Sequence, residues 1–225
     1  MLYIVATPIG NLEDISLRAL RILREVDLIL CEDTRITSRL LSRHQIKAAL
    51  SSYHAHSKEK QTRRIFDLLG QGKNVALVTD AGTPGVSDPG AKLINQLISS
   101  HPNVEIVCVP GPSALTAAAS LSSFPTNRFL FLGFLPRKKG KKKLLASLAE
   151  NKGTIIFYES PYRIKKTLLE LQGILQDRKI EVFRELTKKF ETVYRGSIQD
   201  VLAGLDNRVR GEIVVIIGPA LRKKE

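Results

Sequence analysis

Short apolar runs alternate with amphipathic segments along most of the chain, and this alternation limits the possible folds more than any other feature. Residues 2–6, 27–31, 74–78 and 104–109 are apolar runs of five or six residues, many of them β-branched. Between them apolar residues recur at helical spacing, as with Leu17, Leu20 and Leu23 behind the expected cap Ser16. Runs of this length separated by helix-period segments read as βα units that build a parallel sheet. Further strands are expected at 50–53, 128–132, 154–158, 179–184, 192–196 and 212–217. Further helices are expected at 37–43, 57–69, 91–99, from Pro112 or Ser113, and at 142–150, 162–172 and 197–205. Strands 179–184 and 192–196 are joined too closely for a parallel crossover, which takes a dozen or more residues, so they pair antiparallel. The expected architecture is α/β with two α/β domains: residues 1–112 around a parallel sheet and residues 113–225 around a mixed one.

The charge is lopsided. The 225 residues carry 35 Lys and Arg against 22 Asp and Glu, a formal net charge of +13. An anionic partner follows: nucleic acid, an acidic membrane surface, or a phosphate or polycarboxylate ligand. Six of the charges fall in one heptapeptide, RKKGKKK, made of Arg137, Lys138, Lys139, Gly140, Lys141, Lys142 and Lys143. A glycine-interrupted cationic loop suits a phosphodiester backbone, to which it adds affinity without sequence information. Phe129, Phe131 and Phe134 precede it at strand spacing and read as core. No apolar stretch approaches the roughly 18 residues of a membrane helix. The first residues are not those of a secretory signal, because Gly10, Asn11, Glu13 and Asp14 break the apolar run early. Cys31 and Cys108 lie inside strand-like runs and form no disulfide framework, so a reducing, cytoplasmic setting is expected.

Glycine and proline gather directly after the expected strands, in TPIGN (7–11), DAGTPGVSDPG (80–90) and PGPSA (110–114). In an open α/β sheet, ligands bind outside the carboxyl ends of the strands, so the three loops suggest one shared site. None is a dinucleotide fingerprint or a P-loop, which argues against NAD and ATP. CEDTR (31–35) closes the second strand with two carboxylates and a guanidinium: Asp33 is the candidate general base and Arg35 a candidate phosphate contact. His54 and His56 in YHAHS share one face of an extended segment. They lack the further ligand that zinc requires, so no metal is expected and a nucleic-acid or substrate contact is the better reading. YESPYR (158–163) ends another strand and is expected to open a helix with Ser160 as cap and Pro161 at the first helical position.

Taken together, IVATPIGNLEDISLRAL, CEDTR, YHAHS, LVTDAGTPGVSDPG, VPGPSAL, GFLPRK, FYESPYR, RELTKKFE and EIVVIIG resemble the tetrapyrrole methylase superfamily, and most closely its ribosomal-RNA branch. The resemblance implies a methyltransferase that uses S-adenosylmethionine, held in a cleft between the two domains, and a homodimer. It implies donor contacts, mostly through backbone, at Ile9, Ala81, Gly82, Thr83, Val86, Ser113, Ala114, Tyr158 and Glu159. It also implies 2′-O-methylation of a cytidine ribose in ribosomal RNA or the small ribosomal subunit, with RNA held by His54, His56 and the cationic loop. The porphyrinogen-modifying branches carry Gly-Gly-Asp-Pro in the second loop. Here Ala81, Gly82, Thr83 and Pro84 stand instead, which favours RNA over C-methylation of a tetrapyrrole. A non-catalytic RNA-binding assembly factor on the same fold is the alternative of a different class.

Overall fold

The computed structural model describes residues 1–54, 57, 59–175 and 177–220. The chain divides into two compact units, Met1–Ser113 and Ala114–Glu225.

The first unit contains strands β1 (Leu2–Val5), β2 (Leu28–Cys31), β3 (Leu50–Ser52), β4 (Val75–Leu77) and β5 (Ile106–Val109). They form one sheet in the order β3-β2-β4-β1-β5, with every pairing parallel. Helices α1 (Leu17–Glu25), α2 (Thr34–Arg43), α3 (Glu59–Gly70) and α4 (Gly90–Ser100) lie between the strands in sequence. A strand's side chains alternate between faces, and the two faces carry separate cores. Val5, Ile29, Cys31, Ala76 and Val78 pack with Ala19, Ile22 and Leu23 of α1 and with Leu40 and Leu41 of α2. Leu2, Ile4, Leu30, Val75 and Leu77 pack with Ile65, Phe66 and Leu69 of α3 and with Leu93 and Leu97 of α4. A sheet covered on both faces explains why its strands read as unbroken apolar runs.

The start of α2 differs from the sequence reading. Helix α2 begins at Thr34, three residues earlier than expected, because the Asp33 carboxylate accepts the Arg35 N–H and so caps it. Ser16 caps α1 as expected, accepting the Ala19 N–H at 3.1 Å.

The second unit holds α5 (Ala114–Leu121), β6 (Phe129–Phe134), α6 (Lys141–Leu148), β7 (Thr154–Glu159), α7 (Ile164–Leu175), β8 (Ile180–Arg184), β9 (Thr192–Gly196), α8 (Ile198–Gly204) and β10 (Ile213–Ile217). Its sheet runs β6-β7-β10-β8-β9. Only β6 and β7 are parallel, and the expected antiparallel pairing of β8 with β9 is present from Ile180↔Gly196 to Arg184↔Thr192. Leu145 and Leu148 of α6 and Leu168, Leu171 and Leu175 of α7 pack on Ile155, Phe157, Val182 and Val215. Helix α7 starts at Ile164 after a turn through Pro161–Arg163, so Pro161 precedes the helix and does not open it. The β6 aromatics depart from the core reading: Phe129 and Phe134 are 41% and 59% exposed, as an edge strand allows.

Glu181 on β8 is buried, and four donors reach its carboxylate. These are the hydroxyls of Ser122 and Ser123, the Ser123 N–H, and Nε of Arg195, the residue opposite it on β9. Burial acts to raise its pKa, and the four hydrogen bonds outweigh burial, so the carboxyl lies below its ordinary 4.5. A carboxyl lowered by folding stabilises the protein above its unfolded pKa, and that stability is lost as pH falls through the lowered value. Stability should therefore decline below pH 4.5, and Glu181→Gln should flatten the decline, as read by urea midpoints at successive pH values.

Candidate active site

Because the first sheet is parallel, the carboxyl ends of β2, β4, β1 and β5 follow one another along a single edge. CEDTR, TDAGTPG, TPIGN and VPGPS are thus neighbours in that order. Thr7 and Gly82 exchange both backbone hydrogen bonds, at 2.9 and 3.0 Å. The Thr7 hydroxyl donates to the Thr79 carbonyl at 2.9 Å, and the Thr83 hydroxyl to the Pro112 carbonyl at 3.0 Å. Asp88 fixes the far end of the second loop by accepting the N–H groups of Gly85 and Gly90.

Ile9, Gly82, Thr83 and Ser113 are brought together here: a Cβ on Gly82 would lie 3.4 Å from Ile9 Cγ2 and 4.0 Å from Ser113 Cα. Ala81 and Val86 belong to the same loop, the first exposed and the second half-buried. The result is a lining of backbone and small uncharged side chains. That fits a cationic sulfonium ligand, which positive side chains would repel. Gly82 has φ +88°, in the left-handed region that costs other residues roughly 1–2 kcal/mol. Gly82→Ala should lower stability by about that amount in thermal denaturation.

Beside this lining stands an acidic pair. The Oδ1 of Asp80, three residues past the end of β4, accepts the Asp33 N–H at 2.9 Å. Asp33 itself forms a two-pronged ion pair with Arg35, with Nη2 to Oδ2 at 2.6 Å and Nε to Oδ1 at 3.0 Å. The Arg35 hydrogen bond holds the Asp33 carboxyl down to about 2. Burial, aided by the Asp33 charge, pushes Asp80 up, against the lowering effect of the Asp33 N–H. The sequence reading does not single out Asp80, which opens the loop DAGTPGVSDPG; the signal for it is a carboxylate just past an apolar run, the same setting that Asp33 has in CEDTR. Next to it, the Thr79 hydroxyl donates to Glu32 Oε1 at 2.5 Å.

The remaining expected residues lie in the second unit or in the first unit's third loop region. Ala114 opens α5. The Tyr158 ring meets the edges of Phe131 and Phe134, at centroid distances of 5.1 and 5.4 Å. Glu159 is buried, and its carboxylate is taken by neighbours: Oε1 accepts the Ser160 N–H and Arg163 Nε, and Oε2 accepts the Thr167 hydroxyl at 2.7 Å. A donor contact at Glu159 would therefore run through its backbone. His54 is exposed and closes a tight turn with Ser57. His56 lies outside the described residues. The cationic heptapeptide is a loop only as far as Gly140, because Lys141–Lys143 form the first turn of α6; Arg137, Lys138, Lys139, Lys142 and Lys143 are exposed. Lys141 differs: it is 9% exposed, paired with Glu170 at 2.7 Å and bonded to the Thr167 hydroxyl at 3.0 Å. Among the described residues no group of His, Cys, Asp and Glu could hold a metal ion.

The family model of tetrapyrrole (corrin/porphyrin) methylases matches residues 1–202. Ribosomal RNA small subunit methyltransferase I of Thermotoga maritima is 45% identical over 217 residues, covering 96% of this chain and 97% of that protein. The chain belongs to the tetrapyrrole methylase family. Within it, the chain sits with the ribosomal RNA small subunit methyltransferase I proteins. The Bacillus subtilis protein of that name is likewise 45% identical, over 96% of this chain and 74% of its own length. Fold likeness extends further in the family. Uroporphyrin-III C-methyltransferase from Thermus thermophilus, solved with S-adenosyl homocysteine, superposes with a TM-score of 0.67 at 19% identity, covering 96% of each chain. As a tetrapyrrole methylase the chain is an enzyme of methyl transfer, built on two α/β units. Among the described residues no helix is long and apolar enough to cross a membrane.

Proposed function

We propose that the chain transfers a methyl group from S-adenosylmethionine to the ribose 2′-oxygen of a cytidine in small-subunit ribosomal RNA. The observation that carries the RNA substrate is the near full-length match, at 45% identity, to a protein named as a small-subunit ribosomal RNA methyltransferase; the cytidine 2′-oxygen follows from the resemblance to its branch. The cationic loop adds a surface suited to phosphodiester, and the absence of the Gly-Gly-Asp-Pro second loop weighs against a tetrapyrrole.

When bound, S-adenosylmethionine supplies a sulfonium methyl carbon open to in-line displacement. The uncharged backbone lining of the first unit at Ile9, Ala81–Thr83, Val86 and Ser113 would hold it; donor contacts at Ala114, Tyr158 and Glu159 rest on the family resemblance alone. A ribose hydroxyl is a weak nucleophile while protonated, so a base nearby speeds the step. Asp33, expected in that role, is too acidic for it once paired with Arg35. We assign proton acceptance to Asp80, whose raised pKa gives a stronger base. Asp33 then orients Asp80 through its N–H, and Arg35, whose side chain is 84% exposed, remains available to an RNA phosphate. The exposed lysines and Arg137 bind backbone phosphates, and RNA contacts by His54 and His56 follow from the family resemblance. The free thiols Cys31 and Cys108 accord with a cytoplasmic enzyme, and by family resemblance it acts as a homodimer.

The test is tritium transfer from labelled donor to purified small ribosomal subunits and to free ribosomal RNA, followed by mapping of the product. Label on a cytidine ribose is expected. No label in either substrate, from a chain that binds S-adenosylmethionine, would overturn the assignment.

A further inference from the structure

Three exposed aromatic rings of the second unit, Phe134, Tyr162 and Phe190, lie along one edge of its sheet. Strands β7 and β8 flank β10 antiparallel, with Glu159 and Arg184 both opposite Ile213, so their carboxyl ends emerge together beside the start of β10. Strand β6 runs parallel to β7 with Phe134 opposite Tyr158, and its end joins them. Tyr162 follows β7 and is 95% exposed, while Phe190 lies in the β8–β9 connection and is 65% exposed. Cations alternate with these rings. Arg210 lies just before β10, between β7 and β8 in strand order, and Lys189 holds its Nζ 5.7 Å from the Phe190 ring centre. Both are exposed, and neither forms an ion pair among the described residues.

Apolar side chains exposed singly are ordinary on a protein surface, but an aligned set with cations between its members is not. The β8–β9 connection is also built at a conformational cost: Glu185 and Thr187, neither of them glycine, have φ of +55° and +66°. Four bonds hold it there. The Glu185 carboxylate accepts the Glu212 N–H at 3.0 Å and Lys188 Nζ at 2.8 Å, and the Glu191 carboxylate accepts the Thr187 N–H at 2.6 Å. Arg184 Nη2 donates to the Phe190 carbonyl at 3.2 Å. The turn so fixed buries Leu186 and holds Phe190 out in water. Backbone strain that neighbours over-determine marks a position whose geometry is used. A ring already held in place also loses little freedom when a partner stacks on it.

We propose that this edge is a stacking platform for single-stranded RNA, with unpaired bases on Tyr162 and Phe190 and the intervening phosphates on Arg210 and Lys189. Every base has a face that stacks on an aromatic ring, and RNA-binding proteins take up unpaired nucleotides in this way. Neighbouring strands lie about 4.8 Å apart, so the ends of β7 and β8, two steps apart, are separated by roughly 10 Å. That leaves room for Arg210 to meet backbone between two stacked bases. The alternating cations favour RNA over a second copy of this chain, which at +13 would be repelled. The proposal rests on the RNA reading above and deepens it: the substrate is held by its bases, in unpaired form, and not by phosphate alone.

The experiment measures, by fluorescence anisotropy, binding of the full chain to labelled oligouridylate, to the same strand annealed to oligoadenylate, and to an abasic ribose-phosphate strand of equal length. Oligouridylate should bind at least about tenfold more tightly than the abasic strand. Tyr162→Ala and Phe190→Ala should each weaken the single strand by about tenfold and leave the duplex, whose bases are already stacked, within about twofold. Tyr162→Phe, which keeps the ring, should retain the affinity. Arg210→Ala and Lys189→Ala should each reduce the slope of log affinity against log salt by about 0.7. Equal affinity of the wild-type chain for oligouridylate and the abasic strand overturns the proposal, and this comparison requires no variant to fold. So does unchanged single-strand affinity when Tyr162→Ala and Phe190→Ala are combined, with the fold checked by thermal melting. A combined variant that loses self-association in sedimentation yet keeps its RNA affinity also overturns it and assigns the face to a second copy. Methyl transfer to small subunits, assayed in parallel, separates the two readings: turnover without a preference for bases removes only this one, and base preference without turnover removes only the other.

Discussion

Asp80→Asn should slow single-turnover methyl transfer by about 10²–10⁴-fold, the usual contribution of a positioned general base. S-adenosylmethionine affinity should be unchanged, because the donor lining is backbone and small side chains. Asparagine preserves the acceptor for the Asp33 N–H, so the loop keeps its place. The pH profile carries the sharper test. The basic form of Asp80 does the work, so the wild-type rate should fall as pH drops through its pKa. Burial raises that pKa, placing the acid limb above the ordinary carboxylate value of 3.8. Asp80→Asn should abolish the limb. Asp33→Asn should keep single-turnover activity within roughly tenfold and shift the limb downward, since the Asp33 charge is one of the causes that raise Asp80. A full rate in Asp80→Asn with a collapsed rate in Asp33→Asn would return the base to Asp33.

Arg178→Ala should be the most destabilising substitution in the second unit. Arg178 is 6% exposed, and no carboxylate is paired with it among the described residues. Its guanidinium instead donates to four backbone carbonyls, those of Gly218, Leu148, Asn151 and Gly153, with the shortest bonds at 2.6 Å. These carbonyls belong to the α6–β7 connection and to the segment after β10, so one planar fork ties three parts of the chain. Burial lowers its pKa from the ordinary arginine value, but the group stays charged. Its removal orphans several buried carbonyls at once, for an expected loss of about 3–5 kcal/mol. Arg178→Lys should recover little, because an ammonium cannot reproduce the fork. Urea denaturation checks both variants, and a wild-type midpoint for Arg178→Ala would show that the clamp contributes nothing.

The sheet architecture was readable from the chain because a strand covered on both faces must be apolar throughout, as residues 28–31 and 75–78 are. Strand direction in the second half followed from one connection length. What escaped the sequence was decided by which side chains pair once the chain is folded. Lys141 looked like any other member of a charge run, and only Glu170 on α7 withdraws it from solvent. Asp33 looked like a catalytic base, and the neighbour that makes it a cap and an ion-pair member is Arg35, two residues on. Glu159 was legible as a carboxylate at a strand end, while the hold of Arg163 and Thr167 on that carboxylate was not. In each case residue type and rough location were legible, while the proton affinity and free valence of the group were properties of the packed neighbourhood.

The reciprocal bonds between Thr7 and Gly82 add one rung to the first sheet beyond the ends of its strands. Two loops far apart in sequence thereby become one mechanical part. Neither can peel away without breaking both bonds, so their amide protons should exchange with solvent in a single shared opening event. Any motion that admits or releases a ligand at this edge must then be made by something other than these two loops.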